Sequence, residues 1–152
     1  MRFTYGYWSI KPEFKMGYAV ECYRILKTEK SLTAVALNRH VAHRGNTLDG
    51  PALEVSFTAP MEGVIRVRIT HFKGVKAQKP DYQMHESACA VKTEDGPEYA
   101  GFSSGPLTAR VRKGDSGWQV EYLGDGKALT VSGYHGMAHA LNMETGKAYM
   151  SD

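Results

Sequence analysis

Two cysteines, Cys22 and Cys89, are all that the 152 residues contain. Such a low density excludes a disulfide-built scaffold. Cys22 sits in an alternating run, AVECYRIL, and reads as a small core residue. The pattern predicts two free thiols, although the count alone also allows one bridge. Long apolar runs are absent too. No segment approaches the ~20 apolar residues of a membrane-spanning helix, so no membrane partner is expected. The first ten residues, MRFTYGYWSI, have no long apolar stretch and no cleavage-like site. They predict a chain without a secretory signal, hence a cytoplasmic one. Charge of one sign is scarce as well. Nineteen basic and sixteen acidic residues leave a net charge of +3. The basic residues are scattered along the chain, which excludes a nucleic-acid-binding patch and reads as a solvated face. There is no internal repeat, no low-complexity linker and no sustained 3.6-residue period. The nearest approach is Gly136–Met143, where Met137, Ala140 and Leu141 would form one face of a short helix, weakened by Gly133 and Gly136.

Period-two alternation runs through the chain instead. Residues 51 to 72 read PALEVSFTAPMEGVIRVRITHF. Leu53, Val55, Phe57 and Ala59 point one way, with Glu54, Ser56 and Thr58 opposite. After the break Pro60-Met61-Glu62-Gly63, residues Ile65, Val67 and Ile69 point one way, with Arg66, Arg68 and Thr70 opposite. This is the pattern of two half-buried antiparallel strands. Similar signals predict strands at Phe3–Ser9, Tyr18–Lys27, Leu32–Arg39, Ala52–Ala59, Val64–Phe72, Ala88–Thr93, Tyr99–Ser103, Leu107–Lys113, Trp118–Leu123 and Lys127–Val131. Asp95-Gly96-Pro97, Ser104-Gly105-Pro106 and Gly124-Asp125-Gly126 are turns, the last a tight hairpin. Gly74–Glu86 is the longest polar break and reads as a surface loop. A hydrophobic share of 42% in 152 residues suits a single domain. Many short strands without helices mean an all-β sandwich or barrel.

Metal and nucleophile chemistry find little support. His135 and His139 have an i, i+4 spacing that could hold a metal on a helix. No Glu follows His135 and no third ligand is near, so both read as exposed or hydrogen-bonded histidines. His40 and His43 flank a strand end. No Ser/His/Asp or Cys/His constellation and no phosphate-cradling loop stands out, and no cofactor is implied. Nine Tyr, five Phe and two Trp could build a sugar-stacking platform. Trp118 alternates with Val120 and Tyr122, which points it into the core. Trp8 lies in a strand, and Tyr82, in the long loop, is the best exposed ring.

Taken together, several segments resemble the N-terminal domain of glycoside hydrolase family 31, the bacterial α-xylosidase and α-glucosidase family. The stretch around Pro60-Met61-Glu62-Gly63 and Val64-Ile65-Arg66-Val67-Arg68-Ile69 resembles its Pro-x-Glu-Gly turn and following strand. Gly6-Tyr7-Trp8 is similar to its opening Gly-x-Trp. His43-Arg44-Gly45 through Leu48-Asp49-Gly50-Pro51-Ala52-Leu53 is similar to its next segment. Leu107-Thr108-Ala109-Arg110-Val111 resembles its Leu-x-Ala-x-Val strand, and Tyr149-Met150 its closing Tyr-Met. The order and spacing of these segments carry the resemblance over nearly the whole chain.

The resemblance implies a twisted antiparallel β-sandwich of the galactose-mutarotase-like kind, with residues 1–152 as one N-terminal domain. It makes His43-Arg44-Gly45 a structural turn. It implies that the two catalytic aspartates lie in a following (β/α)8 barrel, so that no position here inherits them. A retaining glycosidase needs two carboxyls about 5–5.5 Å apart. Glu54, Glu62, Asp81, Glu94, Asp95, Glu98 and Asp115 all fall on turns or outward strand positions and read as surface charge. No catalytic, cofactor-binding or metal residue is therefore expected. The implied role is a non-catalytic domain of a retaining α-glycosidase acting on terminal α-linked xylose in oligosaccharides. Its partners would be its own C-terminal barrel and, through subunit contacts, copies of itself. In that family the sandwich continues beyond the Tyr-Met segment, which predicts an uncovered edge near Tyr149. A stand-alone carbohydrate-binding module is the alternative. A mutarotase-like enzyme would need a His/Glu acid–base pair in a cleft, which the sequence does not place.

Overall fold

Alternating apolar residues make strands, and pairing makes two meanders whose inner faces form the core. The structure is a computed structural model that describes residues 2–6, 9–48, 50–71, 85–114 and 116–151. The strands are β1 (Thr4–Tyr5), β2 (Ser9–Ile10), β3 (Phe14–Tyr18), β4 (Glu21–Lys27), β5 (Leu32–Leu37), β6 (Ala52–Thr58) and β7 (Arg66–Thr70). They continue with β8 (Val91–Asp95), β9 (Tyr99–Ser104), β10 (Leu107–Arg112), β11 (Val120–Gly124), β12 (Lys127–Ser132), β13 (Ala138–Asn142) and β14 (Ala148–Ser151). A short 3-10 helix spans Arg44–Thr47. The expected all-β, antiparallel sandwich is what forms.

The first meander is a four-stranded sheet, β4-β5-β6-β7, and the second a five-stranded sheet, β12-β11-β10-β9-β8. In the first, Leu32 faces Phe57, Ala34 faces Val55, and Val55 faces Ile69 across antiparallel ladders. Leu32, Ala34, Leu53, Val55 and Phe57 are fully buried, while Ser56 and Thr58 turn outward and Arg68 is exposed. The second sheet contributes Ala100, Phe102, Ala109, Val111, Trp118 and Val120 to the same core. Ile65, Val67 and Ile69 pack against it in part, as the alternation around Arg66 and Arg68 requires. A one-residue slip would invert every one of these positions.

Turn chemistry fixes the register. Gly124 pairs with Lys127, leaving Asp125 and Gly126 as a two-residue loop with φ of 50° and 76°. Both central residues in the left-handed region define the type I′ hairpin, whose twist matches the strands. The Met61–Val64 turn closes by a Val64 N–H bond to the Met61 carbonyl. His43 caps the 3-10 helix, accepting from the Gly45 N–H through Nδ1, while Asn46 Oδ1 accepts from the Ala42 and His43 N–H groups. The segment is thus a built turn, as its resemblance implied.

Three strands escape the alternation signal. β3, β13 and β14 form a three-stranded sheet, β14-β13-β3. The helix considered for Gly136–Met143 does not form: Ala138–Asn142 is a strand. Ala138 and Ala140 are buried on one face, and the segment pairs with β3 on one side and β14 on the other. Phe3, Phe14 and Tyr149 cluster over this sheet, with ring centroids 5.3–6.2 Å apart. The strand expected at Phe3–Ser9 is replaced by the β1–β2 pair, and the run Tyr18–Lys27 is split between β3 and β4 by Ala19 and Val20. Trp8, Phe72, Asp81, Tyr82 and Asp115 lie outside the described residues, as does most of the loop Gly74–Glu86.

Candidate functional site

A turn of four residues builds the site with the most distinctive chemistry. The chain leaves β12, turns through Gly133-Tyr134-His135-Gly136 and enters β13. The Gly136 N–H donates to the Gly133 carbonyl at 2.8 Å, and His135 holds φ at +64°. A positive φ at the third residue is the type II requirement, met by Gly in most turns. Gly136 is needed for a different reason: a Cβ there would lie 2.6 Å from Ser132 Oγ. Met137 follows, fully buried and again in the left-handed region at φ +56°. Its carbonyl accepts from the Ala19 N–H at 2.9 Å. Non-glycine residues in this region cost about 1–3 kcal/mol each and gather at ligand sites.

The strained turn presents rings. The His135 imidazole stacks on Tyr134, with centroids 3.8 Å apart, and on Tyr18 at the end of β3, 4.2 Å apart. The ring planes are tilted by only 23° and 18°. At such distances two rings cannot share one imidazole face, so His135 is sandwiched. Tyr134, the outer ring of the column, is 90% exposed. The column borders a cleft of about 410 Å³ whose other walls are Val20, Gly117 and Trp118. Trp118 is buried, as its alternation with Val120 predicts, yet its Nε1–H has no acceptor among the described residues. Partial burial, and then the neighbouring Tyr134, hold the Tyr18 hydroxyl above its ordinary pKa. Among the described residues no Asp, Glu, Lys or Arg lines this cleft.

A second cleft, of about 370 Å³, contains a pair that sequence reading missed. Glu21 is 6% exposed; its Oε2 lies 2.6 Å from His40 Nδ1 and its Oε1 accepts from the Val41 N–H at 3.1 Å. Both carboxylate oxygens are engaged, and the two side chains face each other rather than a common substrate. That geometry joins the ends of β4 and β5. It does not present the separate acid and base of a mutarotase. Beside it, Cys22 has its thiol pushed up to about 11, chiefly by burial. A thiol held protonated is a poor nucleophile. Cys22 and Cys89 are both free.

Apart from Glu21, the described carboxylates line neither cleft. Glu62 and Glu98 are exposed. Glu94 pairs with Lys92 at 2.5 Å, and the ammonium holds the carboxyl below its usual range. A glycosidase acid needs the opposite shift. Asp95 pairs with Lys113 at 2.7 Å. Glu54 lies on the outward face of β6. Glu121 binds Arg110 through Oε2 and accepts from Gln119 through Oε1. His139 is separated from His135 by the strand direction and meets His71, with ring centroids 4.5 Å apart. Among the described residues no cluster of three or more His, Cys, Asp or Glu could hold a metal.

No family model matches the chain. Two curated proteins match it from end to end. The chain is 27% identical over 154 residues to the alpha-xylosidase XylQ of Lactiplantibacillus pentosus, and 25% identical over 159 residues to an alpha-xylosidase of Emericella nidulans. It spans 20% of the length of each. Both matches agree with the resemblance to an N-terminal domain of glycoside hydrolase family 31 carried by its motifs.

Proposed function

We propose that the chain is the non-catalytic N-terminal β-sandwich domain of a family 31 retaining α-glycosidase, an α-xylosidase that removes terminal α-linked xylose from oligosaccharides. The observation that carries this reading is the end-to-end match to two alpha-xylosidases in which the chain accounts for one fifth of the length. The chemistry of the described carboxylates supports the non-catalytic half. They are ion-paired, exposed or engaged by backbone, and the one with a perturbed pKa is lowered. In this reading the double displacement occurs in a following barrel and needs no cofactor. The sandwich packs on that barrel and shapes the ground beside its mouth. The setting is cytoplasmic, where Cys22 and Cys89 stay reduced.

Two measurements test the proposal. The purified chain is assayed with nitrophenyl α-xyloside and α-glucoside, and no turnover is expected; turnover that survives further purification overturns the non-catalytic role. A chimera then replaces the matching fifth of the Lactiplantibacillus enzyme with this chain. Restored α-xylosidase activity is expected, and a folded but inactive chimera overturns the assignment as a domain of such an enzyme. A stand-alone carbohydrate-binding module remains the second reading, favoured by the exposed Tyr134 ring beside the aromatic cleft. Titration calorimetry with xylo- and gluco-oligosaccharides tests it.

A further inference from the structure

We propose that the cleft between Tyr18, Trp118 and the Tyr134–His135 turn is a binding site for one uncharged pyranose ring, stacked on the aromatic column. The choice of an α-xylosyl ring as the preferred sugar rests on the function proposed above; the site itself does not.

Five observations converge on it. The column Tyr18–His135–Tyr134 is a preassembled stack whose outermost ring is 90% exposed. Tyr134, stacked on His135, leaves most of its ring surface open beside the cleft to a flat partner. The C–H face of a pyranose is such a partner, and aromatic walls with a few polar groups are the usual make-up of small-ligand sites. The volume, about 410 Å³, lies in the range of ligand clefts, roughly 300–1,000 Å³. Among the described residues the walls carry no Asp, Glu, Lys or Arg, which disfavours phosphates, carboxylates and cationic ligands and suits a neutral polyol. A buried indole N–H, that of Trp118, has no acceptor among the described residues, although buried donors are nearly always paired. A hydroxyl entering the cleft with a small movement of Trp118 would satisfy it. Finally, the backbone holds His135 and Met137 at φ +64° and +56° to create this display. Strain persists where the surrounding structure imposes it, and here the Gly133–Gly136 and Ala19–Met137 hydrogen bonds do so.

The test reads the indole directly. The two Trp side chains of the chain give two indole N–H resonances, and a Trp8→Phe variant assigns that of Trp118. Methyl α-xylopyranoside is titrated into the 152-residue chain, with methyl α-glucopyranoside and cyclohexanol as parallel arms. The expected result is a saturable shift of the Trp118 indole signal by a glycoside. Tyr134→Ala should weaken binding by about tenfold, the worth of one stacking ring of about 1.4 kcal/mol. Tyr134→Phe should restore it. Tyr134 is so exposed that its removal leaves the core intact, which far-ultraviolet dichroism verifies. Linear, unsaturating shifts overturn the site. So does binding indifferent to Tyr134→Ala, or cyclohexanol binding as tightly as either sugar. Saturation by the glucoside and not the xyloside upholds the cleft while counting against the xylose specificity, so the two readings fail separately.

Discussion

Val55→Ala measures whether the inner face of the four-stranded sheet is placed correctly. Val55 is fully buried on β6, one of the two interior strands, in register with Ala34 on one side and Ile69 on the other. The substitution removes two methyl groups, whose transfer alone is worth about 1.6 kcal/mol at ~0.8 kcal/mol per buried carbon. Ala34 is too short to fill the gap, and a residual cavity of roughly 40 Å³ adds about 1 kcal/mol at ~24 cal/mol per Å³. The expected cost is about 2–3 kcal/mol, a large part of the ~5–15 kcal/mol that holds a typical domain folded. The neighbouring strand supplies the control. Arg68 on β7 faces outward, so Arg68→Ala should stay within ~0.5 kcal/mol. Between these limits lies Ser56→Ala, which loses a half-buried hydroxyl pair with Thr33 at 3.0 Å, a bond worth about 0.5–1.5 kcal/mol. Urea unfolding at constant slope gives all three values from their midpoints. A cost for Arg68→Ala equal to or above that for Val55→Ala would refute the register, because both residues would then have exchanged faces.

His139 gives a pH dependence. Burial, and then His71 opposite, hold its pKa below the ordinary value, so the unfolded chain binds more protons than the folded one. Stability from the neutral ring is fully present above the unfolded pKa of about 6.5 and is lost as pH falls through that value toward the lower folded one. Urea midpoints from pH 8 to 5 should fall more steeply for the native sequence than for His139→Gln, and parallel curves would sink the idea. The thiols give a third test: Ellman's reagent at pH 8 should modify half-exposed Cys89 quickly and Cys22 only in denaturant, since burial pushes Cys22 up to about 11. Equal rates for both in the native chain would contradict the burial of Cys22.

The two meanders are legible in the sequence because each of their strands carries its own pattern and pairs with its neighbour in the chain. Leu53-Val55-Phe57 and Ile65-Val67-Ile69 announce both the strand and the face. The third sheet is not legible for the converse reason. Phe14–Tyr18 has no alternation, with four of its five residues half-buried, and Ala138–Asn142 is short and alanine-rich, compatible with either period. Only pairing between distant segments makes them strands. The aromatic cleft follows the same rule. Tyr18, Trp118 and His135 come from three separate parts of the chain, and nothing local joins them. Gly133 and Gly136 around Tyr134-His135 were a turn signature in plain view, but a sequence does not announce that a histidine will take the positive φ. Glu21 and His40 stayed hidden for a simpler reason: a buried carboxylate and its partner lie 19 residues apart.

The third sheet also sets the order in which the molecule can be made. β4 to β7 and β8 to β12 are consecutive hairpins, so each can zip as soon as its residues leave the ribosome, at about 5–20 residues per second. β3 emerges before either and has no partner to receive it, because Tyr18 pairs with Ala138, 120 positions later. Until then the first strand of the third sheet waits with its hydrogen-bonding edge open, and the loop to be closed is nearly the whole chain. The aromatic column, which needs Tyr18 from one end of that loop and His135 from the other, therefore assembles after both meanders. Its ring stacking reports that β13 has docked on β3: nascent chains stopped short of β13 should hold both meanders and still lack the column's near-ultraviolet dichroism.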